Sequence, residues 1–273
     1  MTHPITPHLH ARKQLIAQRF SLAQSYDTHA FIQQAICQRL VELLLTTQHT
    51  SVLEVGAGSG QLTTLLAQTL QSERWLINEL CQTHAAPLQA IVPAARIHIG
   101  DAERSTYNDI TGLGDNHSLV VSANAIQWFD SPLAFITQAA EQLQRGGQLL
   151  FSTFTPEHFY EFKTLTGQGL HYPSSEQWRA QLEQSGFTVH YCDTYRRTLN
   201  FASPYAVLRH LKATGVTAIP ASSKDNPEAL SSPPFWNKQR LADFEQQYLE
   251  QFATTDGQVT LTYDALIISA QLV

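Results

Sequence analysis

The stretch Glu54-Val55-Gly56-Ala57-Gly58-Ser59-Gly60 constrains this chain more than any other. It follows the apolar run Ser51-Val52-Leu53 and leads into a helical pattern over residues 61–70. A strand that ends in three alternating glycines and then becomes a helix has a specific physical use. Glycine reaches positive φ without a steric penalty, so the chain can turn tightly and bring its N–H groups close to a ligand. The helix N-terminus behind the turn favours a negative group. The acid before the first glycine narrows the choice. A carboxylate in the turn is at odds with a pyrophosphate and suits a ligand that carries positive charge.

Strands and helices alternate on either side of this loop. Apolar Ile32, Ile36, Leu40, Leu43 and Leu44 recur at helical spacing and predict an amphipathic helix over 30–47. Strands are predicted at 51–55, 75–79, 96–99, 118–123 and 148–154, with helices at 61–70, 82–91 and 131–144. Gly146-Gly147 is expected to stop the last of these helices. A helix at 174–185, opened by serines and closed by Gly186, precedes two final strands at 187–201 and 260–272. This rhythm implies an α/β fold, Rossmann-like, with a mostly parallel seven-stranded sheet and helices on both faces.

A single domain over 1–273 is expected, in four parts: an N-terminal arm and helix (1–47), a ligand-binding core (48–201), a helical insertion between the last two strands (202–257) and the final strand (258–273). The insertion has helical stretches at 205–214 and 237–252 around a Ser/Pro-rich loop at 221–234. Its size fits a lid over the site or a surface elaboration.

The 273 residues, 43% of them hydrophobic, allow such a domain its own core. No apolar run approaches the ~20 residues needed to span a bilayer, and Met1-Thr2-His3-Pro4 does not begin a secretory signal. A cytoplasmic location with no membrane partner is expected. Cys37, Cys81 and Cys192 are scattered and odd in number, which argues against a disulfide framework or a zinc cluster. No HxxxH or HxH pair sits beside cysteines or carboxylates at ligand spacing, so no metal site is expected. A formal net charge of −6 disfavours nonspecific nucleic-acid binding.

In open α/β sheets ligands bind outside the carboxyl ends of the strands, and four predicted strand ends carry polar groups there. Glu54, Gly56, Ala57, Gly58 and Gly60 form the loop. Glu79, followed by Leu80, ends the next strand, where a carboxylate can accept hydrogen bonds from two ribose hydroxyls. Asp101 and Ala102 follow the third and would offer an adenine a carboxylate and a backbone N–H, whereas Glu103 reads as a solvated neighbour. Asn124 ends the fourth, near a sulfonium and an amino-acid end. Together these groups suit S-adenosylmethionine, with S-adenosylhomocysteine as product. The pattern resembles class I S-adenosylmethionine-dependent methyltransferases over residues 50–155 and the terminal strands.

A closer resemblance covers nearly the whole chain. Arg19-Phe20, Ser25-Tyr26-Asp27-Thr28-His29-Ala30, Ser122-Ala123-Asn124-Ala125-Ile126-Gln127-Trp128, Leu211-Lys212-Ala213-Thr214-Gly215 and Leu261-Thr262-Tyr263 occur in that order. In them the chain is similar to the malonyl-acyl-carrier-protein O-methyltransferase family of biotin synthesis. The resemblance implies methylation of the free carboxylate of a malonyl thioester, on an acyl carrier protein or coenzyme A. The ester would disguise the malonyl group as an ordinary acyl primer for elongation.

Such a reaction needs no general base, because a carboxylate is already ionised near neutral pH. It needs alignment with the methyl carbon and exclusion of water. The resemblance implies that a tyrosine and a basic residue position the carboxylate, and Tyr26 on the arm and Lys212 on the insertion are the expected pair. Gln127 and Trp128 are expected to wall the substrate pocket, with Phe20, Phe201 and His210 as further lining. Arg196-Arg197 and Arg209-His210-Lys212 are the basic clusters where an acidic carrier would dock. Two rival readings stand beside this one: another class I methyltransferase for a small acid, amine or carbon, and a protein that binds S-adenosylmethionine without catalysis.

Overall fold

The structure is a computed structural model that describes residues 11–22, 30–105, 116–214 and 237–273. Its strands are β1 Gln48–Val55, β2 Gln71–Glu79, β3 Arg96–Ile99, β4 His117–Ser122, β5 Leu143–Phe154, β6 Phe187–Phe201 and β7 Val259–Leu272. They form one seven-stranded sheet in the order β3-β2-β1-β4-β5-β7-β6. β1 to β5 pair in parallel, and β7 lies antiparallel between β5 and β6. The helices are α1 Ala11–Leu22, α2 Phe31–Glu42, α3 Gln61–Thr69, α4 Ala85–Ile91, α5 Ala134–Gln142, α6 Tyr160–Thr166, α7 Ser175–Gln184, α8 Pro204–Ala213 and α9 Lys238–Phe252.

The period-two alternation of side chains along a strand divides the core between two faces. Val52, Val121, Leu150 and Ile267 pack on one side with Ile36 and Leu40 of α2, Leu66 of α3 and Tyr248 of α9. Leu53, Val120, Phe151 and Ile268, their immediate neighbours in sequence, pack on the other with Ile136 of α5 and Trp178 of α7. The central strands are therefore apolar on both faces, as the helices covering them require. Among the described residues no helix is long and apolar enough to cross a membrane.

Two local readings need correction. The helix expected over 131–144, with Gly146-Gly147 as its stop, spans Ala134–Gln142. Leu143 turns to φ −90 and ψ 142, joins β5 opposite His117, and is buried in the second core. The pairing then shifts register, with Gly146 at φ 76 within the shift. Burial of Leu143 thus ends the helix before the glycines are reached. The second correction is α6, which the pattern leaves unassigned. It is short, and its N-cap is Phe159 at φ 55, with no capping side chain to announce it. What holds it is tertiary: the fully buried Glu161 accepts hydrogen bonds from Thr262 N–H and Oγ1, at 2.9 and 2.7 Å, on β7. α7, by contrast, carries the capping box its serines promise, between Ser174 and Gln177.

Phe151 lies at the centre of the second core, with its ring 5.5 Å from Phe135 and 5.2 Å from Trp178. Phe151→Ala should cost about 3–5 kcal/mol in urea unfolding, since packing on both sides prevents collapse onto the hole.

Candidate active site

The glycine loop leaves β1 with Gly56, Gly58 and Gly60 at φ 70, 59 and 89. At two of these positions space is short as well. A Cβ on Gly56 would meet Ala125 Cβ at 2.5 Å, and one on Gly60 would meet Ile91 Cδ1 at 2.5 Å. Gly58 has no neighbour within 4 Å of such a Cβ; its N–H donates to Glu79 Oε2 at 2.7 Å. The other Glu79 oxygen accepts Cys81 N–H at 2.8 Å and lies 3.3 Å from His84 Nδ1. Glu79, Cys81 and His84 thus bring their donor atoms within 4.8 Å of one another, a proximity that sequence spacing did not reveal. Glu79 already ties the loop to the end of β2, so the cluster reads first as an anchor for that carboxylate.

Over this loop lies a cavity of ≈ 380 Å³, within the usual range for a small-molecule site. Glu54, Gly56, Ala57, Gly58, Glu79, Leu80, Asp101, Ala102 and Asn124 all line it, as expected. Gly60 does not. It is buried as the N-cap of α3, turned toward Leu88 and Ile91, so its role is packing.

Glu54 is 1% exposed, and neither of its oxygens reaches a partner in hydrogen-bond geometry among the described residues. Burial pushes its carboxyl up to about 8, against the pull of the nearby Thr63 hydroxyl, and the Glu79 charge adds to the rise. A buried, unpaired acid in a cavity wall asks for a cationic partner. Together with the glycine cradle it fits S-adenosylmethionine, whose ammonium and sulfonium supply that charge.

The N-terminal arm contributes more than the sequence indicated. Lys13 of α1 is 3% exposed and lines the cavity. Its Nζ donates to Glu103 at 2.6 Å and to the Trp128 carbonyl at 3.3 Å, lies 3.6 Å from Asp101, and sits 4.9 Å from the Phe129 ring centroid. Arg12 pairs with Asp130 beside it. Glu103 is therefore no solvated neighbour: besides Lys13 it accepts the N–H groups of Asp130 and Ser131, both at 2.8 Å. The only sequence signal for this cluster was a basic pair on a polar helix, which points nowhere until the partners are placed.

A second, smaller cavity of ≈ 20 Å³ adjoins the first, sharing Asn124 and Trp128 with it. Asn124 sits there at φ 53, a left-handed conformation that asparagine tolerates better than most residues. Its N–H donates to Ser152 Oγ at 3.0 Å, and its carbonyl accepts from Gln127 Nε2 at 2.6 Å. Gln127 and Trp128 wall this cavity as expected, and Gln33, His158, Tyr172, Thr214 and Tyr263 join them. Of these, only Thr214 and Tyr263 lie in motifs noted from the sequence.

The expected catalytic pair is not brought together by the described structure. Tyr26 lies outside the described residues, and Phe20 falls in α1 with its side chain outside them. Lys212 is exposed on the last turn of α8 and lines neither cavity. The helical period carries it away from the face that Val207, His210 and Leu211 bury. His210 stands behind the second cavity, its Nε2 2.7 Å from Tyr263 Oη, and Phe201 packs on it at 5.1 Å. Arg196 is committed elsewhere too, bidentate to the buried Asp264 at 3.0 and 3.0 Å.

Sheet order, glycine cradle and paired cavities define a class I S-adenosylmethionine-dependent methyltransferase. A methyltransferase domain family matches residues 26–191. Among solved structures, the N-methyltransferase NodS from Bradyrhizobium japonicum, in complex with S-adenosyl-L-homocysteine, shares this fold. Its TM-score is 0.53 at 11% identity, over 96% of this chain and 98% of that one. The YcgJ protein from Bacillus subtilis gives 0.59 at 11% identity, over 87% and 98%. Sequence relatives are more specific. Malonyl-[acyl-carrier protein] O-methyltransferase of Porphyromonas gingivalis is 38% identical, over 94% of this chain and 95% of its own length. The enzyme of the same name from Acinetobacter baylyi is 37% identical, over 95% and 96%. This chain belongs to the malonyl-[acyl-carrier protein] O-methyltransferase family.

Because the Glu54 carboxyl holds its proton up to about 8, a cation placed beside it should drive that proton off. S-adenosylhomocysteine binding should therefore release a proton near neutral pH, with affinity rising toward pH 8 by no more than about tenfold per pH unit and levelling above it. Titration calorimetry in buffers of different ionisation enthalpy reads this directly. Glu54→Gln should remove both the proton release and the slope. The same shift lowers folding stability as pH climbs from the ordinary carboxylate range to about 8, since the unfolded chain ionises first.

Proposed function

We propose that this protein methylates the free carboxylate of a malonyl thioester, carried by acyl carrier protein or coenzyme A, as an early step in biotin synthesis. The observation that carries the reading is the second cavity. It is small, opens beside Asn124 next to the donor site, and has no Asp, Glu, Lys or Arg in its described lining. Such a space, about the size of one small polar group, suits a carboxylate that arrives already ionised. The names of the relatives support the same substrate.

When bound, S-adenosylmethionine supplies an electrophilic methyl group on a sulfonium. Glu54, Glu79 and Asp101 would hold its cationic end, ribose and base, and the glycine loop gives it close backbone approach. The chain has three further tasks: to place one carboxylate oxygen in line with the methyl carbon, to exclude water, and to keep proton donors of charged type away from the attacking oxygen. Asn124 and Trp128, common to both cavities, form the seam across which the two reactants face each other. His158 offers no competing charge. Its burial, and secondarily the charge of Lys163, hold it well below the usual histidine range, so it stays a neutral imidazole.

Tyr26 and Lys212 remain candidates for handling the substrate, the lysine from the surface. With Arg197 and Arg209, also exposed, Lys212 would make the basic approach for an acidic carrier. Methyl transfer from labelled donor should proceed to malonyl thioesters and fall sharply with succinyl or ethylmalonyl thioesters. Equal transfer to all three would sink the substrate assignment. For the carrier-linked substrate kcat/KM should drop as salt rises, and Lys212→Ala should weaken this dependence, while a small malonyl thioester shows little of it.

A further inference from the structure

Beside the unpaired amide oxygens of Gln33, Asn124 and Gln127, the second cavity presents two hydrogen-bond donors that the described residues leave unused. The His158 ring is 2% exposed and packed between aromatic rings, stacked on Phe154 at 3.8 Å and set against Tyr263 at 5.4 Å. Its Nδ1 accepts the Asp264 N–H at 3.2 Å. A neutral imidazole that accepts at Nδ1 carries its proton on Nε2. That N–H has no partner among the described residues, and the ring borders the cavity. Tyr172 meets it at a right angle, its ring 5.7 Å away. The Tyr172 hydroxyl likewise lacks a hydrogen-bond partner among the described residues, and burial alone pushes its pKa up.

The two donors sit on adjoining rings that border one small cavity, where a single acceptor group could complete both. Both are neutral, and the N–H and the O–H each call for an acceptor. We propose that His158 Nε2–H and Tyr172 Oη–H hold the acceptor carboxylate, so that the anion is fixed by neutral hydrogen bonds and not by an ion pair. This assignment rests on the carboxylate-methylation reading above. A cation in contact would neutralise the nucleophile and would itself have to be desolvated. Neutral donors orient one oxygen and leave the electron density of the other available to form the new C–O bond as the C–S bond breaks. No proton moves in that step, so neither donor has to titrate.

The surrounding structure locks both groups. The Asp264 backbone that fixes the His158 tautomer is held in β7, where the Asp264 carboxylate is gripped by Arg196 and by Thr155 Oγ1 at 2.5 Å. Arg196 thereby acts as a positioning residue for the pocket. Tyr172 is faced by Lys163, whose Nζ lies 4.4 Å from its ring centroid. Lys163 is confined in turn, since a Cβ on Gly169 would come within 2.7 Å of its Cε.

The test uses the full-length enzyme with a small malonyl thioester, and S-adenosylhomocysteine binding as the second readout. Tyr172→Phe removes one oxygen and keeps the ring. It should raise KM for the thioester at least tenfold, leave S-adenosylhomocysteine affinity within twofold, and leave the unfolding midpoint unchanged. His158→Gln, which can still accept from Asp264, should show the same separation. In the wild type, KM for this thioester should be independent of salt. A Tyr172→Phe enzyme with wild-type KM, or a wild-type KM that climbs with salt as an ion pair demands, overturns the assignment. A wild type that binds S-adenosylhomocysteine but methylates no malonyl thioester overturns the underlying reading instead, and is told apart because it appears before any substitution is made.

Discussion

The hydrogen bond from Gly58 N–H to the Glu79 carboxylate is the contact on which the donor side of this molecule depends. It joins a loop that only glycines can trace to the end of the neighbouring strand. Glu79 accepts Cys81 N–H with its other oxygen, so one carboxylate sets the direction of two chain segments. An ionised carboxylate offers about four acceptor positions. Two are spent on the backbone and the His84 ring lies 3.3 Å from one oxygen, which leaves acceptor capacity for a ligand in the cavity that Glu79 lines. Structural anchoring and ligand recognition are therefore compatible in the same side chain.

The donor side was largely legible in the sequence because it is built from local signals. Glycine spacing dictates the turn, and strand ends at β1, β2, β3 and β4 fall on one edge of a parallel sheet. The polar residues that close those strands then face a common crevice without further assumption. Gly60 shows the limit of this logic. It belongs to the pattern, yet its conformation and the side chain of Ile91 make it a packing residue. The helix ending at Gln142 shows another limit, since burial of Leu143 outweighed the glycines three and four residues on.

The acceptor side was legible only as a set of motifs without geometry. Gln33 comes from α2, Asn124 from the end of β4, His158 and Tyr172 from around α6, Thr214 from the end of α8 and Tyr263 from β7. No periodicity links positions so far apart, and α6 has no capping signal of its own. The lysine expected to face the substrate is exposed on the last turn of α8 and lines neither cavity. His210, two residues earlier, occupies the inward face and supports Tyr263. A motif can say that a helix matters without saying which of its faces does.

The contacts of α1 bear on the order in which the chain can assemble. Lys13 and Arg12 find their partners far along the chain, in Asp101, Glu103, the carbonyl of Trp128 and Asp130. Synthesis carries this helix through the making of three strands before Asp101 and Glu103 exist, and through a fourth before Trp128 and Asp130 do. The loop between, with its long separation in sequence, must close at an entropic cost that only the finished strand ends repay. This helix is made before the partners that seat it, so the donor crevice acquires its rim after its floor.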